Sequence, residues 1–173
     1  MTSTLNERAI KKKVNIYAPK SLVWLAWIDS ARVAEWFAPE AVIEAKEGGA
    51  YELFFIPGNK QEMNTKGCKI IKMATENELQ FTWRGPDPFN ELMNAENDLT
   101  VVQVSLEKID ESTTSVHINH TGFKNDDNWS EAFKWHEMAW SGVLKSLKEN
   151  LKKAKEIYAA SLKELFLIER QVC

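Results

Sequence analysis

The sequence predicts an α+β domain in which a curved antiparallel sheet is covered by one long C-terminal helix. Two observations carry this. From Ala41 to Thr121 apolar residues recur with a period of two, interrupted only by short turn-like segments and one longer loop. Short connections favour antiparallel neighbours, because parallel strands need long crossovers. From Asn128 to Glu169 there is no proline and a single glycine, Gly142, and the apolar residues fall three and four apart, as on one face of a helix.

The elements follow in order. Val14, Ile16 and Ala18 alternate in a first strand that Pro19 ends, and Ser21 caps a short helix over Leu22 to Ile28. Asp29 and Ser30 start a second short helix with Val33, Trp36 and Phe37 at helical spacing, stopped by Pro39. Six strands are then predicted: 41–46, 51–56, 65–74, 79–84, 99–109 and 113–121. Their separators, such as Glu47-Gly48-Gly49 and Pro57-Gly58-Asn59, have turn chemistry. Residues 85–98 form the longer loop, or a short helix over one end of the sheet. The final helix runs its apolar stripe through Trp129, Ala132, Phe133, His136, Trp140, Val143, Leu147, Leu151, Ala154, Tyr158, Leu162 and Leu165. About 40 residues at 1.5 Å each exceed the width of such a domain. Residues 153–173 are therefore a helical extension of a single domain spanning 1–173, either bending back or projecting as an arm.

Composition narrows the function. At 173 residues, 44% hydrophobic and 27% charged, the chain suits one domain with a substantial core. A net charge of -3 argues against a nucleic-acid partner, and the run Lys11 to Lys13 reads as a solvated strand edge. No apolar run is long enough to span a membrane, and the opening MTSTLNERAIKKK lacks the apolar stretch of a signal peptide. Cys68 and Cys173 read as free thiols, and a cytoplasmic location is expected. Seven tryptophans imply a bulky core or an aromatic cavity.

The chemistry-bearing side chains point the same way. Tyr51, Leu53 and Phe55 share one strand face, as do Phe81 and Trp83 with Leu79, while Trp36, Phe133 and Trp140 approach from helices. His120 shares its parity with Val116 and Ile118, and His136 lies on the inward stripe four residues before Trp140. These ten residues (Trp36, Tyr51, Leu53, Phe55, Phe81, Trp83, His120, Phe133, His136 and Trp140) would line an apolar ligand cavity, with Tyr51, His120 and His136 as orienting polar groups, an arrangement that the residues alone leave level with its competitor. The competing arrangement is a solid core, with His120 bonded to a backbone carbonyl and His136 partly exposed. Glu52 and Arg84, on the opposite parity, are expected to face solvent. His117 and His120, three apart on a strand, point to opposite faces, and no metal-ligand, nucleophile, phosphate or cofactor motif is present. No catalytic residue, metal or cofactor is assigned.

Six short motifs resemble one family in order and spacing across roughly residues 10–152. They are Ala18-Pro19 with Val23-Trp24 and Ala26-Trp27, Val33 to Pro39, Gly48 to Tyr51, Leu79 to Trp83, His120 to Phe123, and Ala139-Trp140 with Leu144 and Leu147. They resemble the START-like, helix-grip superfamily, in particular the bacterial branch of the activator of heat-shock protein 90 ATPase homologues. Ala139 stands where that pattern has glycine, and the tail from Lys153 runs past its usual end. The resemblance implies a helix-grip fold and a pocket between helix and sheet. It leaves three functions open: binding of a small hydrophobic molecule, a chaperone-linked interaction surface, or a cyclase- or hydrolase-like activity of His120 and His136. The apolar extension needs its own domain or a second copy to bury against, the latter giving a homodimer through the C-terminal helix.

Overall fold

The computed structural model describes residues 7–172, so Cys173 and the first six residues lie outside it. It contains eight strands, β1 (Glu7–Ile16), β2 (Glu40–Ile43), β3 (Tyr51–Ile56), β4 (Asn59–Asn64), β5 (Ile70–Ala74), β6 (Glu78–Trp83), β7 (Thr100–Asp110) and β8 (Thr113–Lys124). The helices are α1 (Lys20–Ile28), α2 (Ser30–Trp36), a single turn α3 (Asn90–Met93) and α4 (Ser130–Val172), with 3-10 turns at Asp87–Phe89 and Asp127–Trp129. The α+β class, the curved antiparallel sheet and the long covering helix are as the sequence predicts.

The meander is divided rather than single. Five strands pair antiparallel in the order β1-β8-β7-β6-β5, and β2-β3-β4 form a second sheet. The two meet where Tyr51 N–H donates to the Cys68 carbonyl (2.9 Å) and Ile70 N–H donates to the Gly49 carbonyl (2.8 Å). Strand β4 was not predicted, because Asn-Lys-Gln-Glu-Met-Asn carries no apolar alternation; it forms because the Pro57-Gly58 turn, with Gly58 at φ +78°, folds it back on β3. The predicted strand 65–74 is correspondingly shorter. Thr65 is instead a buried bracket, its hydroxyl accepting from Leu53 N–H at 2.8 Å.

The core lies between the five-stranded sheet and α4. Val102, Val104, Leu106, Val116 and Ile118 face it from the sheet, and Ala132, Trp140, Leu144, Leu147 and Leu151 face it from the helix. Helices α1 and α2 seal the flank with Val23, Trp24, Trp27, Val33 and Trp36. Asp29 caps α2 by accepting from Arg32 N–H at 3.1 Å. Beyond Leu151 the helix continues unbroken, with every described side chain from Lys152 to Gln171 exposed. Of the two alternatives for the extension, the arm is the one observed; 43 residues in α4 make it about 65 Å long.

Gly49 marks the tightest point of the junction between sheets. A Cβ there would lie 2.1 Å from the Glu44 carbonyl oxygen, so any side chain displaces the turn entering β3. Gly49→Ala is expected to lower stability by roughly 2 kcal/mol or more, measured by urea unfolding. Gly48→Ala, placed where nothing crowds but φ is +80°, should cost only about 1 kcal/mol.

Candidate ligand site at the mouth of the helix and sheet

Two tryptophans and two histidines tie α4 to the sheet in one buried chain of hydrogen bonds. His120 on β8 is fully buried and His136 on α4 is 1% exposed. Trp140 Nε1–H donates to His120 Nδ1 at 2.9 Å, so the His120 proton sits on Nε2, which lies 2.8 Å from the Thr100 hydroxyl. Thr100 in turn donates to the Trp83 carbonyl at 3.5 Å. The indole of that same Trp83 donates to His136 Nε2 at 3.1 Å, and His136 Nδ1–H donates to the Ala132 carbonyl one turn earlier at 2.7 Å. An indole nitrogen only donates and a carbonyl only accepts, so both tautomers are fixed by their partners.

The electrostatics agree with this assignment. Burial pushes the His120 imidazolium well below the usual histidine range, and the neighbouring His136 adds to the effect. Burial lowers His136 to about 4, against a smaller opposing effect of its bond to Ala132. Both rings are neutral, and all four ring nitrogens are engaged within the protein. This corrects the competing expectation for the pair: His120 bonds side chains rather than a carbonyl, and His136 is not partly exposed.

Local sequence explains the placement. Gly122 adopts φ +99°, and its missing Cβ would lie 3.3 Å from Thr100 Cα, so the end of β8 packs closely on the start of β7. That register puts Thr100 beside His120. On α4, His136 and Trp140 are four residues apart and so project from one face.

Around the chain, the aromatic residues separate into a filled layer and a partly open one. Tyr51 stacks on Phe81 with centroids 4.0 Å apart, and its hydroxyl donates to the Trp27 carbonyl at 2.8 Å. Burial raises the Tyr51 phenol far above its usual range. Leu53 is fully buried, and Trp36 donates its indole N–H to the Ala26 carbonyl at 2.8 Å. Phe133 packs edge-on to Phe123 near the start of α4, under the Arg8 guanidinium.

The open layer lies at the mouth. Phe55, Trp83, His136 and Trp140, with Phe37, Trp135, Ala139 and Val143, line an apolar cleft of about 60 Å³. A second apolar cleft of about 160 Å³ shares Phe55, Trp83 and Trp135 and adds Met63, Asn64, Arg84 and Pro86. Trp36, Tyr51, Leu53, Phe81, His120 and Phe133 line neither. Residues 85–98 fold against this mouth as a 3-10 turn followed by α3. Phe89 rests against Trp135 and His136, and Asp87 accepts from Met63 N–H at 3.1 Å.

Sequence reasoning missed Trp135, Met63 and Thr100. Trp135 sits off the apolar stripe and is 42% exposed; a tryptophan on the polar face of a helix was its only signal. Met63 belongs to the strand that was not predicted, and Thr100 is identified only by strand register. Arg84 and Glu52, expected in solvent, are half-buried, and Glu52 accepts from Gly67 N–H at 2.7 Å. Among the described residues no cluster of three His, Cys, Asp or Glu side chains is placed to hold a metal ion. Cys68 is buried, and burial raises its thiol to about 11.

The network has a pH signature. A histidine of folded pKa about 4 binds fewer protons than the unfolded chain, whose histidines titrate near 6.5. Stability is therefore fully present above about pH 6.5 and lost as pH falls from there toward 4, by up to about 3 kcal/mol for His136. Urea midpoints between pH 5 and 7.5 should rise with pH, and His136→Gln, although less stable throughout, should show a shallower rise.

Comparison with known proteins places this fold. A family profile described as "Activator of Hsp90 ATPase homolog 1-like protein" matches residues 17–152. A comparison with curated protein sequences found no match. Among solved structures, a Mesorhizobium loti protein superposes with a TM-score of 0.67 at 16% identity, covering 84% of this chain and 98% of that one. The Aha1 dimer of Colwellia psychrerythraea gives 0.63 at 17% identity, over 83% and 96%. An HSP90 activator from Plasmodium falciparum gives 0.61 at 14%, again over 83% and 96%. At these identities the structures show a shared fold. With the family profile covering most of its length, the chain belongs to the activator of Hsp90 ATPase homolog 1-like family within the START-like superfamily.

Proposed function

We propose that this protein is a cytoplasmic binding protein for a small hydrophobic or aromatic molecule, held at the mouth between α4 and the sheet. The observation that carries the reading is the pair of apolar clefts sharing Phe55, Trp83 and Trp135 beside an otherwise filled core. A cavity of about 150 Å³ lined by apolar side chains holds one benzene ring, so clefts of this size suit a compact ligand. The ten residues expected from the sequence divide accordingly. Phe55, Trp83, His136 and Trp140 would touch the ligand, and the other six would hold those four in place.

Binding is favoured over acid–base catalysis by the state of the histidines. A general base needs a free lone pair within reach of its substrate, and both Nδ1 of His120 and Nε2 of His136 already accept from indoles. The chaperone-linked alternative rests on the family description; the cleft supports a small ligand directly.

A second copy is favoured by the arm. The stripe that packs Trp140, Leu144, Leu147 and Leu151 into the core continues through Tyr158, Leu162 and Leu165, all exposed. An isolated helix of this length gains most of its stability from burying such a face, and a matching arm offers one.

Native mass spectrometry tests both. The expected result is a mass of two 19.8 kDa chains, with a co-purified small molecule released on denaturation. Ala139→Phe, which fills the cleft from α4, should abolish the adduct while leaving the dimer. A ligand retained by Ala139→Phe would contradict the cleft reading, and a monomer at micromolar concentration would contradict the arm reading.

A further inference from the structure

The rim of the cleft carries a charge that the apolar lining does not explain. Arg84 follows the last residue of β6 and is half-buried. Its Nη1 reaches the Lys66 carbonyl at 3.3 Å and its Nη2 the Asn90 amide oxygen at 3.5 Å, both long for a guanidinium, while its buried Nε has no partner. Among the described residues Arg84 takes part in no ion pair. The nearby carboxylates are engaged elsewhere, Asp87 with Met63 N–H and Glu52 with Gly67 N–H. A half-buried cation with an enclosed, unpaired Nε and two long hydrogen bonds is poorly coordinated, and an anion would complete it.

Its position says which anion. Arg84 stands in the wall of the 160 Å³ apolar cleft and also in the wall of a polar cleft of about 320 Å³ lined by Lys66, Gly67, Asn94, Glu96 and Leu99. It therefore marks the line where an aromatic surface turns polar. We propose that the ligand is a small amphipathic carboxylic acid. Its ring or branched apolar group lies against Phe55, Trp83 and Trp135, and its carboxylate rests on the Arg84 guanidinium. The planar fork of arginine matches a carboxylate with two parallel hydrogen bonds, which the neutral wall of the cleft cannot supply. Beyond Arg84 the polar cleft carries one charge of each sign, Lys66 and Glu96, and so offers no second net positive charge for a more highly charged head such as a phosphate. The inference rests on the reading of the mouth as a ligand site, and it names the chemical class that site selects.

The test compares an acid with its neutral isostere. Isotope-labelled protein is titrated with 4-ethylbenzoate and with 4-ethylbenzamide, reading the indole N–H resonances of Trp83 and Trp135. The acid is expected to bind about fivefold or more tightly than the amide, the scale of one charge-assisted pair at a partly exposed site. In Arg84→Gln the preference should be lost, the acid and the amide binding equally. Arg84→Lys, which keeps the charge but not the fork, should retain a reduced preference and stands in if the Gln variant fails to fold. Equal binding of acid and amide to the wild type, or a preference that survives Arg84→Gln, would overturn the carboxylate assignment while leaving the ligand site intact. Binding of neither probe would overturn both.

Discussion

The structure depends on one constraint: two tryptophan N–H groups are buried between the sheet and α4 and each must find an acceptor. An indole nitrogen buried without a partner costs about 1–3 kcal/mol, and hydrocarbon side chains offer none. His120 and His136 supply the acceptors, and their remaining nitrogens pass the requirement on to Thr100 and to the Ala132 carbonyl. The result is directional. Every donor in the chain has one acceptor, and reversing either imidazole would set an indole N–H against a ring N–H. The chain crosses from β8 to α4 through Trp140 and from β6 to α4 through Trp83, so it fixes the height and rotation of the helix over the sheet.

That clamp decides what remains open. Deeper in the molecule Trp27, Trp36, Tyr51 and Phe81 fill the space between the layers. At the mouth, Phe55, Trp83, Trp135 and Trp140 leave shallow apolar clefts between them instead of an enclosed chamber. The folded 85–98 segment closes one side through Phe89 and Asp87. The polar groups expected to orient a ligand are occupied internally: the Tyr51 hydroxyl by Trp27 and the imidazoles by the indoles. The rim carries Arg84, whose buried Nε has no partner.

Much of this was legible in the sequence, for reasons that differ by element. The strands of the large sheet announce themselves because one face is buried and alternation follows; Val102, Val104 and Leu106 on β7 are the plainest case. The inward direction of His120 and His136 follows from parity on β8 and from spacing on α4. Strand β4 was not legible, because it is held by a turn and by pairing with β3 rather than by a buried face. The tautomers were not legible either, since Thr100 meets His120 only through the register of β7 on β8. Whether the aromatic residues fill or line a space depends on side-chain packing in three dimensions, which periodicity does not encode. Length alone showed that the stripe outruns the domain, and it left open whether the extension bends back or projects as an arm.

The most direct test of the clamp is the protonation state of its two imidazoles. Nitrogen-15 NMR of the histidine rings at pH 7 should show His120 neutral with the proton on Nε2 and His136 neutral with the proton on Nδ1. Both should stay neutral at pH 5.5, below the range in which an unperturbed imidazole takes up its proton. Ring protonation of either buried histidine near pH 6.5, or the opposite tautomer on either, would contradict the account, because an indole N–H would then be left without its acceptor.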